Sequence, residues 1–303
     1  MDIGIIGNGG HSKRIQKILK KKKIFIYKPS GNNSIDSMQF EILKKKKIIF
    51  ICSPNNTHFS YIKKLYKNRY IFCEKPPVTI EKELNLLKKI SHKKIFFNFN
   101  QRFSSIAKVL KKAKKIKMGN LLYGSIINSH GLAFKKDYIN SWRSNIKKNK
   151  LGVYETVSIH DIDLINFYFE IKKIKKPELK NFQNIGDSFD SAYARILLKK
   201  GGVINIFSTY SSAYTNQWVL MFENGLIEAT DNEIALYHPT KSFDNQGNFI
   251  KPKKKLSLKI SKDDYAKSLE LSVKYFLTKV KNKSNFNIQD FKKSISSNQF
   301  LFS

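Results

Sequence analysis

The N-terminal third of the chain alternates short, largely apolar segments with stretches of helical periodicity. No other feature restricts the fold as much. The largely apolar segments are 2–7, 24–27, 48–52, 70–73 and 95–99. Between them Ile15, Ile18 and Leu19 recur at helical spacing, then Phe59, Ile62, Leu65 and Tyr66, then Leu84, Leu87 and Ile90. A strand with no polar alternation is buried on both faces, and intervening helices supply the crossovers. The pattern therefore predicts a doubly wound parallel sheet. Within 28–47 the helical pattern around Phe40, Ile42 and Leu43 is weak, and Pro29, Gly31, Asn32 and Asn33 interrupt it. The second crossover helix is expected to be short or missing.

The later sequence has a different rhythm. A long strand is expected at 121–132 and a helix at 153–169, carrying Ile159, Ile162, Ile165 and Phe169. Strands are then expected at 189–198, 203–210, 218–223, 226–230 and 233–237. Lys200-Gly201-Gly202 and Asn224-Gly225 are hairpin signals. Strands that follow one another without helices pair mostly antiparallel. A final amphipathic helix is expected at 263–280. Single cores stop growing near about 250–300 residues, so the 303 residues divide into a dinucleotide-binding domain, 1–118, and an α+β domain on a large, mainly antiparallel open sheet, 119–303.

The formal charge of +34 comes from 57 Lys and Arg against 23 Asp and Glu. Only Arg14, Arg69, Arg102, Arg143 and Arg195 are arginine, and the lysines are spread along the whole chain. Base-reading proteins rely on arginine for bidentate contacts, so a nucleic-acid partner is not expected. A cationic surface still attracts anionic cofactors and substrates. No apolar run reaches the roughly 18–20 residues of a membrane helix, and the N-terminus opens on a strand rather than a signal core. A soluble, cytoplasmic protein with no membrane partner is expected. Cys52 and Cys73 end apolar segments and read as buried, reduced thiols; two such cysteines make no zinc site.

Gly7-Asn8-Gly9-Gly10-His11-Ser12 follows the first strand and opens a helix. Glycines there permit a tight turn and close approach of a pyrophosphate, and the helix N-terminus offers N–H donors. Ser12 stands where the fingerprint wants Gly or Ala. The second strand ends in Tyr27-Lys28-Pro29-Ser30 with no carboxylate for a ribose 2′-hydroxyl. Lys28 and Ser30 are suited to a 2′-phosphate, so both NAD and NADP stand as cofactors.

Further along come Ser53-Pro54-Asn55-Asn56-Thr57-His58, Glu74-Lys75-Pro76, Asn100-Gln101-Arg102-Phe103 and Ser158-Ile159-His160-Asp161-Ile162-Asp163. With the glycine turn, these resemble the glucose–fructose oxidoreductase, inositol dehydrogenase and MocA (Gfo/Idh/MocA) family over almost the whole chain. The resemblance implies a Rossmann domain followed by an open-sheet domain, and NAD(P)-dependent chemistry at a hydroxyl or carbonyl of a sugar or nucleotide-linked sugar. It also implies a homodimer or homotetramer. It assigns the cofactor to Gly7, Gly9, Gly10 and His11, with Ser53, Pro54 and Asn55 flanking nicotinamide and ribose, and His58 and Glu74 close by. Lys75, before a proline that is often cis in the family, takes the role of contacting substrate and nicotinamide, and His160 that of the proton-transfer histidine.

An aspartate is common one turn before that histidine. Here the position is Thr156, which hydrogen-bonds a hydroxyl but accepts no proton at neutral pH. Spacing predicts that Thr156 and His160 share a helix face, that Glu155 points elsewhere and that Asp161 is exposed. Arg102, and Arg143 in Trp142-Arg143, are the candidates for an anionic group on the substrate, and Asp163 for orienting His160 or binding a sugar hydroxyl. Thr156 and Ser12 also motivate an alternative: a catalytically impaired sugar- or nucleotide-binding protein on the same fold.

Overall fold

The computed structural model describes residues 2–20, 22–29, 38–90, 93–239 and 241–302. Two compact units result. The first is Met1–Asn100 with Leu269–Phe302, and the second is Gln101–Ser268. A single boundary at 118/119 does not describe this division, because the end of the chain returns to the first unit.

In the first unit, β1 (Ile3–Ile6), α1 (Gly10–Ile18), β2 (Ile24–Tyr27), α2 (Met38–Lys44), β3 (Ile48–Ile51), α3 (His58–Leu65), β4 (Tyr70–Glu74), α4 (Glu81–Leu87) and β5 (Ile95–Asn98) follow in order. All pairings are parallel, in the order β2-β1-β3-β4-β5. β1 and β3 are buried along their whole length, as their unbroken apolar character predicts. The second crossover helix is short, and only Phe40 and Leu43 of α2 are buried. Ser30 and residues 31–37 lie outside the described residues.

In the second unit, α5 (Ser105–Lys115), β6 (Leu121–Ser129), α6 (Ile159–Phe169), β7 (Ile171–Ile174), β8 (Glu178–Lys180), β9 (Ser191–Leu198), β10 (Val203–Thr209), β11 (Thr215–Phe222), β12 (Gly225–Ala229), β13 (Glu233–Tyr237) and β14 (Lys254–Lys259) build one large sheet with its helices. The order is β14-β13-β12-β11-β6-β10-β9-β7, with β8 on β9. Every pairing is antiparallel except β6 with β10. One face of β9 to β11 buries Ala194, Ile196, Ile204, Ile206, Trp218 and Leu220, the period-2 pattern of a sheet covered on one side. The expected helix 153–169 is divided: Tyr154–Ser158 is a π-helical turn and α6 continues from Ile159.

The last helices, α7 (Asp264–Lys281) and α8 (Ile288–Gln299), explain why the first unit needs the end of the chain. Phe276 of α7 is fully buried and packs against Phe50 at 5.3 Å, Phe72 at 5.4 Å and Phe286 at 5.6 Å between ring centroids. Leu269 and Val273 join the same cluster with Ile3 and Ile5. The strands were legible as buried; which helix buries them was not, because the covering face lies more than a hundred residues away. Phe276→Ala is expected to destabilise the protein by about 3–5 kcal/mol, measured as a fall in the urea unfolding midpoint.

Candidate active site

The order of the parallel sheet reverses direction at β1, with β2 on one side and β3 on the other. Ligands of open α/β sheets bind at the carboxyl ends of strands at such a switch. The glycine turn leaves β1 there, and Ser53-Pro54-Asn55 leaves β3 beside it. Gly7 has φ +98°, and a Cβ would lie 2.7 Å from the Cys52 carbonyl. This glycine is demanded by the fold itself. Gly9 and Gly10 are different: a Cβ on either meets nothing within 4 Å. Helix α1 starts from Gly9 without a side-chain cap, so its first N–H groups face this open space, as an anion-binding helix start requires. Ser12 is buried and donates to the Gly7 carbonyl at 2.8 Å, closing the turn from within. The glycine turn thus fits a dinucleotide pyrophosphate. Lys28 is exposed directly after β2. Pro54 is exposed, and Ser53 and Asn55 are buried, with Ser53 Oγ 2.7 Å from Thr57 Oγ1.

His11 and Glu74 turn towards each other. His11 Nε2 lies 2.7 Å from Glu74 Oε1, and Asn98 Nδ2 donates to the same oxygen at 2.7 Å. Ser272 in turn donates to Asn98 Oδ1 at 2.5 Å. Burial pushes the Glu74 carboxyl up, but His11, Asn98 and the Lys75 charge outweigh it and hold the group below the usual carboxylate range. Lys75, the next residue, is half-buried, and its bond to Pro76 is cis. His58, expected beside the nicotinamide ribose, sits inside the protein. The ring is fully buried, with Nδ1 2.8 Å from the Pro76 carbonyl and Nε2 3.0 Å from the Ser53 carbonyl. Both nitrogens face backbone acceptors. Burial drives the pKa down, which favours the neutral ring, and a neutral imidazole donates to one of the two carbonyls at a time. Both thiols are pushed well up by burial, although Cys52 is only half-buried.

In the second unit His160 is half-buried near the start of α6. Thr156 is buried, donates to the Gly152 carbonyl at 3.0 Å and hydrogen-bonds the Tyr210 hydroxyl. The Arg143 charge acts on the same phenol, and its guanidinium stacks over Trp142, 4.5 Å from the ring centroid. Tyr210 and His130, whose rings lie 4.9 Å apart, directly follow the ends of the parallel pair β10 and β6. Sequence reasoning missed both as site residues. Their only signal was a place at the end of two long strand patterns, since whether two strands run parallel is a tertiary fact. Burial raises the Tyr210 pKa, opposed by Arg143 and Thr156.

Two expectations about carboxylates are overturned. Asp161 is buried and accepts from Asn128 Nδ2 at 2.5 Å rather than facing solvent. Glu155 is also buried, accepts from the Leu151 amide at 3.3 Å and lies within electrostatic reach of Tyr210. It does not point away from Thr156's surroundings, because the π-turn changes the helical register assumed for an ordinary helix. Arg102 and Asp163 are brought together as a bidentate pair, Nε–Oδ2 at 2.7 Å and Nη2–Oδ1 at 2.5 Å, with the guanidinium over Phe167 at 4.7 Å. This pairing occupies both groups, so of the two candidate arginines Arg143 is the one without a carboxylate partner among the described residues.

The titrating groups of the first unit set a sign. His58 has a lowered pKa in the folded protein, so the unfolded chain binds its proton first and stability falls as pH drops below about 6.5. Glu74 is also lowered, so its stabilisation is present above its unfolded pKa and is lost as pH falls through the folded value. Urea unfolding midpoints are expected to decline in two stages between pH 7 and pH 3, and Glu74→Gln is expected to make the lower stage smaller.

Residues 10–96 match the family model described as the oxidoreductase family GFO_IDH_MocA, NAD-binding Rossmann fold. No curated protein matches the chain. Among solved structures, myo-inositol dehydrogenase from Corynebacterium glutamicum is 18% identical with a TM-score of 0.70, covering 98% of this chain and 93% of that one. UDP-N-acetylglucosamine 3-dehydrogenase from Acidithiobacillus ferrooxidans is 14% identical with a TM-score of 0.72, covering 98% and 95%. Levoglucosan dehydrogenase, solved with NADH, is 14% identical with a TM-score of 0.74, covering 98% and 94%. At these identities the structures establish a shared fold, and the sequence match covers most of the first unit's sheet and helices. Over residues 10–96 the chain is thus similar to the NAD-binding Rossmann-fold domain of the Gfo/Idh/MocA oxidoreductase family.

Proposed function

We propose that this protein is an NAD(P)-dependent oxidoreductase acting on a hydroxyl or carbonyl of a sugar or nucleotide-linked sugar. The observation that carries this reading is the open space over Gly9 and Gly10 at the start of α1, where the segment that matches an NAD-binding family begins. Hydride exchange is the chemistry that a bound nicotinamide supplies. Gly9, Gly10 and the first amides of α1 hold the pyrophosphate. Ser53, Pro54 and Asn55 flank the nicotinamide ribose. The exposed Lys28, with no carboxylate beside it on β2, is suited to a 2′-phosphate.

Lys75 orients and polarises the reacting hydroxyl, and His160 takes up or returns its proton, since imidazole titrates near neutral pH. Arg143, held against Trp142, receives an anionic group of the substrate. Thr156 contributes a hydroxyl bonded to Tyr210 rather than a carboxylate. That bond also favours the second reading, a protein that binds dinucleotide and sugar with impaired turnover. Dinucleotide binding without turnover of any member of a nucleotide-sugar and polyol panel would support it.

Titration of the intrinsic fluorescence with NADH and NADPH tests the cofactor site. Gly9→Val and Gly10→Val are expected to weaken binding at least tenfold with the thermal midpoint unchanged, because the added atoms enter open space. Gly7→Ala is expected to lower the midpoint itself. Lys75→Ala is expected to reduce kcat by about 10²–10⁴-fold while the NADH dissociation constant stays within a factor of about two. Unchanged turnover in this variant would remove Lys75 from the mechanism.

A further inference from the structure

The backbone that carries Lys75 is held by two buried side chains from other elements. Pro76 and Pro77 have no N–H to donate, so the turn after β4 cannot close on itself with ordinary backbone pairs. Its polar groups are met from outside. The Pro76 carbonyl faces His58 Nδ1 at 2.8 Å. Val78 is met twice by Asn298 of α8: its amide donates to Asn298 Oδ1 at 2.8 Å, and its carbonyl accepts from Asn298 Nδ2 at 3.1 Å. One carboxamide thus pairs with both backbone groups of a single residue, as an adjacent strand would. His58 and Asn298 are both fully buried. Its other nitrogen lies 3.0 Å from the Ser53 carbonyl, so the ring sits between the loop after β3 and the turn after β4, with its one neutral-state proton on Nδ1 in the clamping tautomer.

A lysine ammonium sits on a flexible four-carbon stem, and its aim depends on a fixed backbone. We propose that His58 and Asn298 are positioning residues for Lys75. They clamp the backbone on its C-terminal side, His58 at Pro76 and Asn298 at Val78. The inference rests on the reading of Lys75 as the group that polarises substrate. Neither residue touches substrate in this scheme.

The test uses the full chain and two readouts. One is the rate of lysine acetylation by N-hydroxysuccinimide acetate, resolved by peptide mass spectrometry. The other is amide exchange over 75–80. Asn carries its amide nitrogen near the place of histidine Nδ1, and Gln near that of Nε2. His58→Asn therefore retains the donor to Pro76, whereas His58→Gln retains the donor to Ser53. His58→Gln and Asn298→Leu are expected to change Lys75 acetylation at least fivefold and to speed exchange over 75–80, with Lys28 and Lys94 unaffected. His58→Asn is expected to restore the wild-type Lys75 rate. NADH affinity of Asn298→Leu is expected to stay within twofold of wild type. Identical behaviour of His58→Asn and His58→Gln, a uniform change at all lysines, or an unchanged Lys75 in every variant would overturn the proposal. A wild-type protein that binds neither NADH nor NADPH would instead overturn the functional reading, while the labelling comparison would still decide the clamp.

Discussion

The first unit depends on a carboxylate kept charged inside it. Glu74 ends β4 in a buried position, where an unpaired charge would be strongly unfavourable. His11 and Asn98 meet the same oxygen, and Ser272 orients Asn98 from α7. One group therefore joins the glycine turn after β1, the ends of β4 and β5, and a helix from the far end of the chain. The open space above Gly9 and Gly10 keeps its form because the next residue, His11, is tied down. The backbone entering Lys75 starts from an anchored residue for the same reason.

The second unit uses a comparable device with different partners. Arg102 and Asp163 neutralise each other as a buried bidentate pair, joining the segment before α5 to α6. Tyr210 collects Thr156 and Arg143 at the end of the one parallel strand pair. The first arrangement pairs an arginine with a carboxylate; the second leaves one, Arg143, stacked on an indole with no carboxylate partner among the described residues. Two arginines that look equivalent as residues thus sit in different electrostatic surroundings.

Much of the architecture was readable in advance. Unbroken apolar strands announced the parallel sheet, and alternating strands with glycine hairpins announced the open sheet. Residue types and spacing located the glycine turn, and the family resemblance singled out Glu74-Lys75-Pro76. Orientation was less legible. Spacing placed Asp161 on the solvent side and Glu155 away from Thr156; burial of both followed from the Asn128 contact and from a π-turn that ordinary helical periodicity does not contain. His58 read as a ligand neighbour, yet its ring is occupied by two carbonyls. Asn298, near the end of the chain, carried no signal at all.

The division has a physical basis. Periodicity, glycine placement and proline report local preferences of the backbone, and these the sequence by itself determined: strands, helices, turns and the place of the glycine turn after β1. Hydrogen bonds between Asn298 and Val78, or between Arg102 and Asp163, join residues far apart in the chain. Each forms only after the elements have packed, and which partner satisfies a buried polar group depends on that packing. Only the tertiary structure could decide those pairings, and with them which candidate side chains remain available for a ligand.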